Sequence, residues 1–463
     1  MIERQRRVAL GVGVSVSIAL LLCCAGVAAA HSGGLRGTGR DPITVPTWLF
    51  LLTGGGVVGV SFLLASFVTD RRLVDAVHDW GRPLPTPGRI VRSLAGGGAV
   101  LLLGVTVAVG YVGPSTGVRN LAVLVVWVGW WGGYVASTYL LGNSWPTLNP
   151  FRALAARVPS LDRSYSDRLG SWPSVAGLLA LVWIEVATPL ADDPRLLATV
   201  LVAYTAATVA GSAVVGADRW FESVDPLARA FRFYGWLAPV GVNDGRLHLR
   251  LPGGALPHVT LDGRDDVAFV VTLLFVTTYD GFVATGAWAA GARAVAGVGV
   301  PALAVYVGAY LAGVALFYLA YRAAARLGRR RAETYLSTTY LARRFAPSLL
   351  PIAAGYHLAH NVGSVLVLGP TLSAVAAAPL SPPATPPQLA ALPSWFGGVE
   401  LACVLLGHLL AVWVAHATAY DMFPSRLQAV RSQYGVTAVM VCYTMLSLWI
   451  VAEPYVPPPF IAS

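Results

Sequence analysis

Apolar runs long enough to cross a bilayer recur along this chain, parted by short loops that carry arginine. A helical crossing of a hydrocarbon core roughly 30 Å thick takes about 20 apolar residues. Beyond an apolar N-terminal stretch, ten such runs follow, at 47–68, 93–112, 120–141, 174–190, 195–216, 267–290, 299–321, 347–368, 398–418 and 434–452. The pattern predicts an all-α fold, a polytopic transmembrane helix bundle in which 31–463 forms a single transmembrane domain. One stretch breaks the helical period. Arg246-Leu247-His248-Leu249-Arg250-Leu251 alternates strictly, which predicts a strand. Pro252-Gly253-Gly254 then reads as a turn and His258–Leu261 as the returning strand, a small cytoplasmic β-hairpin inside loop 217–266. Loop 369–397 is uncharged and rich in proline and alanine, and reads as irregular extracellular structure.

The N-terminus has the layout of a signal peptide over 1–30, with basic Met1–Arg7, apolar Val8–Val27 and small Ala28-Ala29-Ala30. An uncleaved first helix is the other reading. Cleavage after Ala30 would leave His31 at the new terminus, where an amine and an imidazole can chelate copper.

Charge fixes the topology. The chain is 56% hydrophobic and 12% charged, against about 25% charged for soluble domains. The net charge is +10, and with no lysine in the chain every strong base is arginine. These arginines cluster in alternate loops: Arg71 to Arg92, Arg152 to Arg168, Arg219 to Arg264, Arg322 to Arg344, then Arg426 and Arg431. The loops between hold few, among them Arg119, Arg195 and Arg293. That is the positive-inside bias. It predicts a multi-pass cell-membrane protein with the mature N-terminus and the C-terminus outside, and it assigns the basic charge to the lipid bilayer, with no nucleic-acid partner. The Arg343-Arg344 pair reads as a headgroup anchor. Cys23, Cys24, Cys403 and Cys442 lie in apolar runs without CxxC spacing, so they form no disulfide framework.

Ionisable residues inside the apolar runs carry the candidate chemistry. Asp280, His360 and His408 fall near mid-span in three runs, and Glu185 lies inside a fourth. Such groups are costly in hydrocarbon and mark functional interiors. His357 and His360 are three apart on one helix face. His416 lies eight residues beyond His408, about 12 Å further along the helix. Imidazole and carboxylate together suit zinc or copper, so the candidate metal ligands are His360, His408 and Asp280, with His416, His357 and His31 beyond them. The bland alternative is an Asp280–histidine pair. The tryptophans Trp127, Trp130 and Trp131 read as packing or interfacial anchors. Packing also accounts for Gly54-Gly55-Gly56 and Gly96-Gly97-Gly98. Asn143 and Asn149 read as caps of a surface turn.

At these residues the chain resembles the polytopic membrane proteins of the fenitrothion hydrolase family. The resemblance runs nearly its whole length, from Ala30-His31 through Asn143, Leu148-Asn149-Pro150-Phe151, Trp183 and Glu185 to Thr278-Tyr279-Asp280-Gly281-Phe282. It continues through Arg343-Arg344-Phe345-Ala346, Ser348, Pro351-Ile352, Tyr356 and Ala359-His360 to Gly407-His408, Ala415-His416 and Ser432-Gln433-Tyr434. His357 departs from the pattern, which has an apolar residue there. The resemblance implies hydrolysis of an organophosphorus ester, a lipophilic substrate. A metal on His360, His408 and Asp280 would activate water, with Asp280 and Glu185 as the catalytic carboxylates and Glu185 as general base. The residues leave other readings open: a copper-handling or transport protein using His31 and the inward-stepping histidines, a haem protein with two axial histidines, or a proton-coupled carrier relaying through Asp280 and Glu185.

Overall fold

The computed structural model describes residues 47–463 apart from positions 244, 389–391, 394, 455 and 461–463. The expected signal 1–30 and His31 lie outside the described residues. The chain is a helix bundle with one small sheet. In order come α1 (Thr47–Phe67), α2 (Arg71–His78), β1 (Gly81–Leu84), α3 (Arg89–Val112), α4 (Leu121–Leu140), α5 (Trp172–Ala187), α6 (Pro194–Val215) and α7 (Pro226–Leu237). Then follow β2 (Val240–Asn243), β3 (Arg246–Arg250), α8 (Arg264–Phe282), α9 (Gly286–Gly297), α10 (Ala302–Ala332) and α11 (Thr338–Phe345). The last are α12 (Leu350–Ala377), α13 (Phe396–Met422), α14 (Arg426–Ser432) and α15 (Tyr434–Ala452).

Among the described residues, seven helices are long and apolar enough to cross a membrane, and up to nine do so if the bent pairs α1–α2 and α8–α9 each count as one span. The chain is a multi-pass membrane protein. Each expected run has its helix, but α1–α2 bends by 115°, α8–α9 bends by 84°, and α5 is only 16 residues long. Pro189 accounts for the early stop of α5, because the residue before a proline is pushed out of the helical region, and Thr188 is extended at ψ 161°.

The centre of the bundle is α8. Its residues from Asp266 to Tyr279 are all buried, as befits a helix apolar around its whole circumference. It packs on α5, α10 and α12. Against α12 lies α13, crossing where Gly355 faces Gly407. On the far side, Gly54 and Gly55 of α1 meet Leu448 and Met445 of α15. Small residues let helices in lipid approach this closely. Of the second glycine patch, Gly96 packs near the Thr147 carbonyl, while a Cβ on Gly97 or Gly98 would meet nothing within 4 Å.

The strand at Arg246 forms as expected, but its partners differ. The sheet order is β1-β3-β2, antiparallel throughout, with Val240 opposite Leu249 and Gly81 opposite Arg250. Gly245 enters β3 at φ +75°, a left-handed conformation suited to glycine. His258–Leu261 is no strand, because its carbonyls are taken. Arg344 donates to the Val259 oxygen at 3.1 Å and Arg343 donates to that of Leu261. Arg344 is therefore not the expected lipid anchor. It is 3% exposed and paired with Asp421.

Short α7 enters the bundle without spanning it. Asp225 caps it, accepting the Ala228 N–H at 2.7 Å and the Tyr204 hydroxyl at 2.7 Å. Burial pushes the Asp225 carboxyl up to about 6. A raised carboxyl favours the fold most at low pH, and that advantage is lost as pH climbs from the unfolded value near 3.8 through about 6. Asn at 225 keeps a cap without a charge. Thermal unfolding in detergent should show Asp225→Asn gaining on wild type between pH 4 and 7.5, by at most roughly 3 kcal/mol. A pH-independent difference between the two would contradict this account.

Candidate functional site

A cavity of about 690 Å³ lies between α3, α4, α5, α6, α7, α8 and α12. Its walls are mostly aliphatic and aromatic, and its polar residues include Glu185 of α5, Asp280 of α8, and Tyr356, His357, His360 and Asn361 of α12. Two of these form a pair. Asp280 Oδ2 lies 3.4 Å from His360 Nε2, and each side chain keeps 18% of its surface accessible. Gly281 makes room beside the pair: a Cβ there would fall 2.2 Å from the Tyr356 hydroxyl. The Tyr356 ring in turn stacks on His360, at 5.8 Å between centroids and 14° between planes. The Asp280-Gly281 dipeptide therefore joins a charge to the clearance it needs.

His357 sits one helical turn away and is 2% exposed. Its Nδ1 is 2.9 Å from the Tyr139 hydroxyl, and its ring meets Trp131 edge-on at 5.3 Å. Asn361 donates to the His357 carbonyl at 2.9 Å.

The aromatic wall owes its shape to a wide stretch of α4. Val125–Tyr134 is π-helical, a form with i→i+5 hydrogen bonds that recurs at functional sites. In an ordinary helix Trp127, Trp130, Trp131 and Tyr134 would share one face, being spaced i, i+3, i+4, i+7. The wider coil turns less per residue and fans the rings apart. Trp131 meets His357, whereas Trp130 and Tyr134 pack on Trp145 and Phe231 at 4.9–5.9 Å or so from ring to ring within that cluster. The tryptophans are thus cavity wall as well as packing.

The expected residues part company here. Asp280, His360, Glu185 and His357 line one cavity. His408 and His416 do not. His408 is fully buried in α13, its Nδ1 2.9 Å from the Val404 carbonyl oxygen. His416 lies with Nε2 3.0 Å from the Val68 carbonyl oxygen and Nδ1 3.5 Å from Gln433 Nε2, between the rings of Trp413 and Tyr420.

The donor set does not fit a resident zinc or copper ion. Such sites take three or four protein ligands. Among the described residues no three His, Cys, Asp or Glu side chains come together to hold a metal, and Asp280 with His360 supplies two donors. A haem with two axial histidines fits no better, since the cavity's histidines, His357 and His360, share one helix.

No protein family, curated protein or solved structure matches this chain. The chemistry rests on the geometry. An apolar chamber meets a carboxylate–imidazole pair able to hold and pass a proton, with Glu185 also in its lining. Tyr139 has no sequence signal of its own, and the tryptophans expected as packing or interfacial anchors also line the cavity. The crowding of aromatic residues between 127 and 145 is the sequence feature that goes with this wall.

Proposed function

We propose that this membrane protein takes a lipophilic small molecule into the cavity and acts on its polar end with the Asp280–His360 pair, hydrolysis of an ester being the favoured chemistry. One observation carries the reading: a chamber of about 690 Å³ with an almost wholly apolar lining includes that pair in its wall. Ligand sites are typically concave, apolar and furnished with a few convergent polar groups. The hydrolytic half of the proposal follows the motifs, such as Thr278-Tyr279-Asp280-Gly281-Phe282 and Ala359-His360, on which a likeness to the fenitrothion hydrolase family is expected. In it, Asp280 orients the imidazole, His360 takes a proton from water as that water attacks the ester, and the same proton goes to the leaving alkoxide. Metal handling and haem binding have less support, because among the described residues His408 and His416 lie away from the cavity that holds His357 and His360.

The test uses full-length protein in lipid nanodiscs with a neutral aryl ester. Asp280→Asn and His360→Gln should each lower turnover by about 10²–10⁴, the usual weight of general acid–base catalysis, and leave binding of a non-hydrolysable analogue intact. Wild-type turnover that neither substitution alters would refute the proposal.

A further inference from the structure

The cavity has two candidate approaches, and they differ in what guards them. Towards the arginine-rich loops a second, polar pocket of about 330 Å³ is lined by Asn143, Asn149, Arg152, Asp218, Glu222 and Arg232 among others. Trp145 belongs to the walls of both spaces. It is 5% exposed and wedged among Trp130, Tyr134, Phe151 and Phe231, with ring centroids 4.9–6.4 Å away. This indole is a plug between the polar pocket and the apolar chamber.

The other approach lies between α3 and the π-helical part of α4. Helix α3 is fastened at its two ends. Near its start Gly96 packs on the Thr147 carbonyl and Ala153. Near its finish Gly110 packs on Ala198, Pro194 and Ala122. Between those points α3 has no extensive contact with Val125–Tyr134. Gly98 and Leu102 lie in this interval. Both line the cavity and both are exposed, Leu102 at 52%. Exposed lining residues on a helix that stands clear of the segment across from it mark a mouth. Gly98 is nine residues past Arg89, so the mouth is roughly 13 Å along the span, at the depth of lipid tails. Across the gap Val126, Trp127 and Gly129 form the opposite lip, each half-buried.

We infer that the cavity opens sideways into the hydrocarbon between α3 and α4, and that its ligand is a neutral molecule dissolved in the bilayer, entering past Gly98 rather than from water past Trp145. The inference rests on the lipophile-binding reading above and narrows its substrate to compounds that partition into membranes.

A matched pair of glycines tests it. A Cβ at Gly97 or Gly98 meets no atom within 4 Å, but only Gly98 borders the cavity. A neutral aryl diazirine is dissolved in phosphatidylcholine nanodiscs holding the full chain, and photolabelled peptides are read by mass spectrometry at short and long times. In wild type and in Gly97→Trp, label should reach the segments around Asp280 and His360 at short times. In Gly98→Trp that short-time label should fall to background, with label on lipid-facing Leu316 and Leu319 of α10 unchanged as a sign of intact fold. Trp145→Ala should not speed labelling of the chamber. Unimpeded labelling in Gly98→Trp, or faster labelling in Trp145→Ala, would overturn lateral entry while leaving a lipophile-binding cavity in place. A chamber that stays unlabelled in every form even at long times would overturn both readings.

Discussion

Replacing Gly355 or Gly407 with leucine should prevent the bundle from assembling. A Cβ on Gly355 would lie 2.6 Å from the Cys403 carbonyl oxygen and 3.0 Å from the Gly407 Cα. A Cβ on Gly407 would lie 2.5 Å from the Pro351 oxygen and 3.1 Å from the Gly355 Cα. Every one of these neighbours is backbone, so no side chain can swing aside. The two helices must separate, losing contacts along a long crossing. Overpacking a core commonly costs about 1–3 kcal/mol, and a whole interface pried apart should exceed the upper end. Because α12 carries His357 and His360, the site would move with it. Yield of monodisperse protein in detergent and its thermal midpoint measure the effect. Gly97→Leu, with open space around it, is the matched control, and equal stability of the two variants would refute the argument.

Arg229→Met should be comparably damaging for a different reason. Arg229 of α7 pairs with Asp266 in the first turn of α8, and their side chains are 4% and 9% exposed. The guanidinium also lies over the rings of Phe233 and Phe269, 5.6 and 5.7 Å from their centroids, and donates to the Glu222 carbonyl. Asp266 accepts in addition the Asp262 N–H at 3.0 Å. Removing one partner of a buried pair strands the other charge, which costs about 3–5 kcal/mol. Removing both, as in Arg229→Met with Asp266→Leu, should recover most of that loss. Chemical denaturation of the single and double variants checks it. A double variant no more stable than the single one would show that the pair's worth lies elsewhere, since replacing a buried ion pair by apolar groups is often neutral.

The helices were legible because hydrophobic length and loop charge are one-dimensional signals. The site was legible only in part, for the same reason. Depth along each run brought out Asp280 and His360, and the two do meet at 3.4 Å. Depth also brought out His408, but the direction a residue faces around its helix depends on the neighbour it packs against. The Gly355–Gly407 contact turns α13 so that His408 does not reach the cavity. Helix α7, at 12 residues, was too short to count as a span, yet Leu227, Ala230, Phe231 and Tyr234 on it wall the chamber. Arg229 looked like one more loop charge, and nothing in the sequence joins it to Asp266, 37 positions away. His258–Leu261 read as a strand because the arginines that occupy its carbonyls come more than 80 residues later.

The wide coil of α4 has a consequence for how this chamber could vary. Its hydrogen bonds run one residue out of step with those of the helical turns on either side. Loss of a single amino acid between 125 and 134 would restore ordinary pitch, collapse the splayed indoles into a stripe and pivot everything downstream. The size and contour of the binding space are thus held by a mismatch in backbone phase, a setting that insertion or deletion can reach in one step and that side-chain exchange cannot.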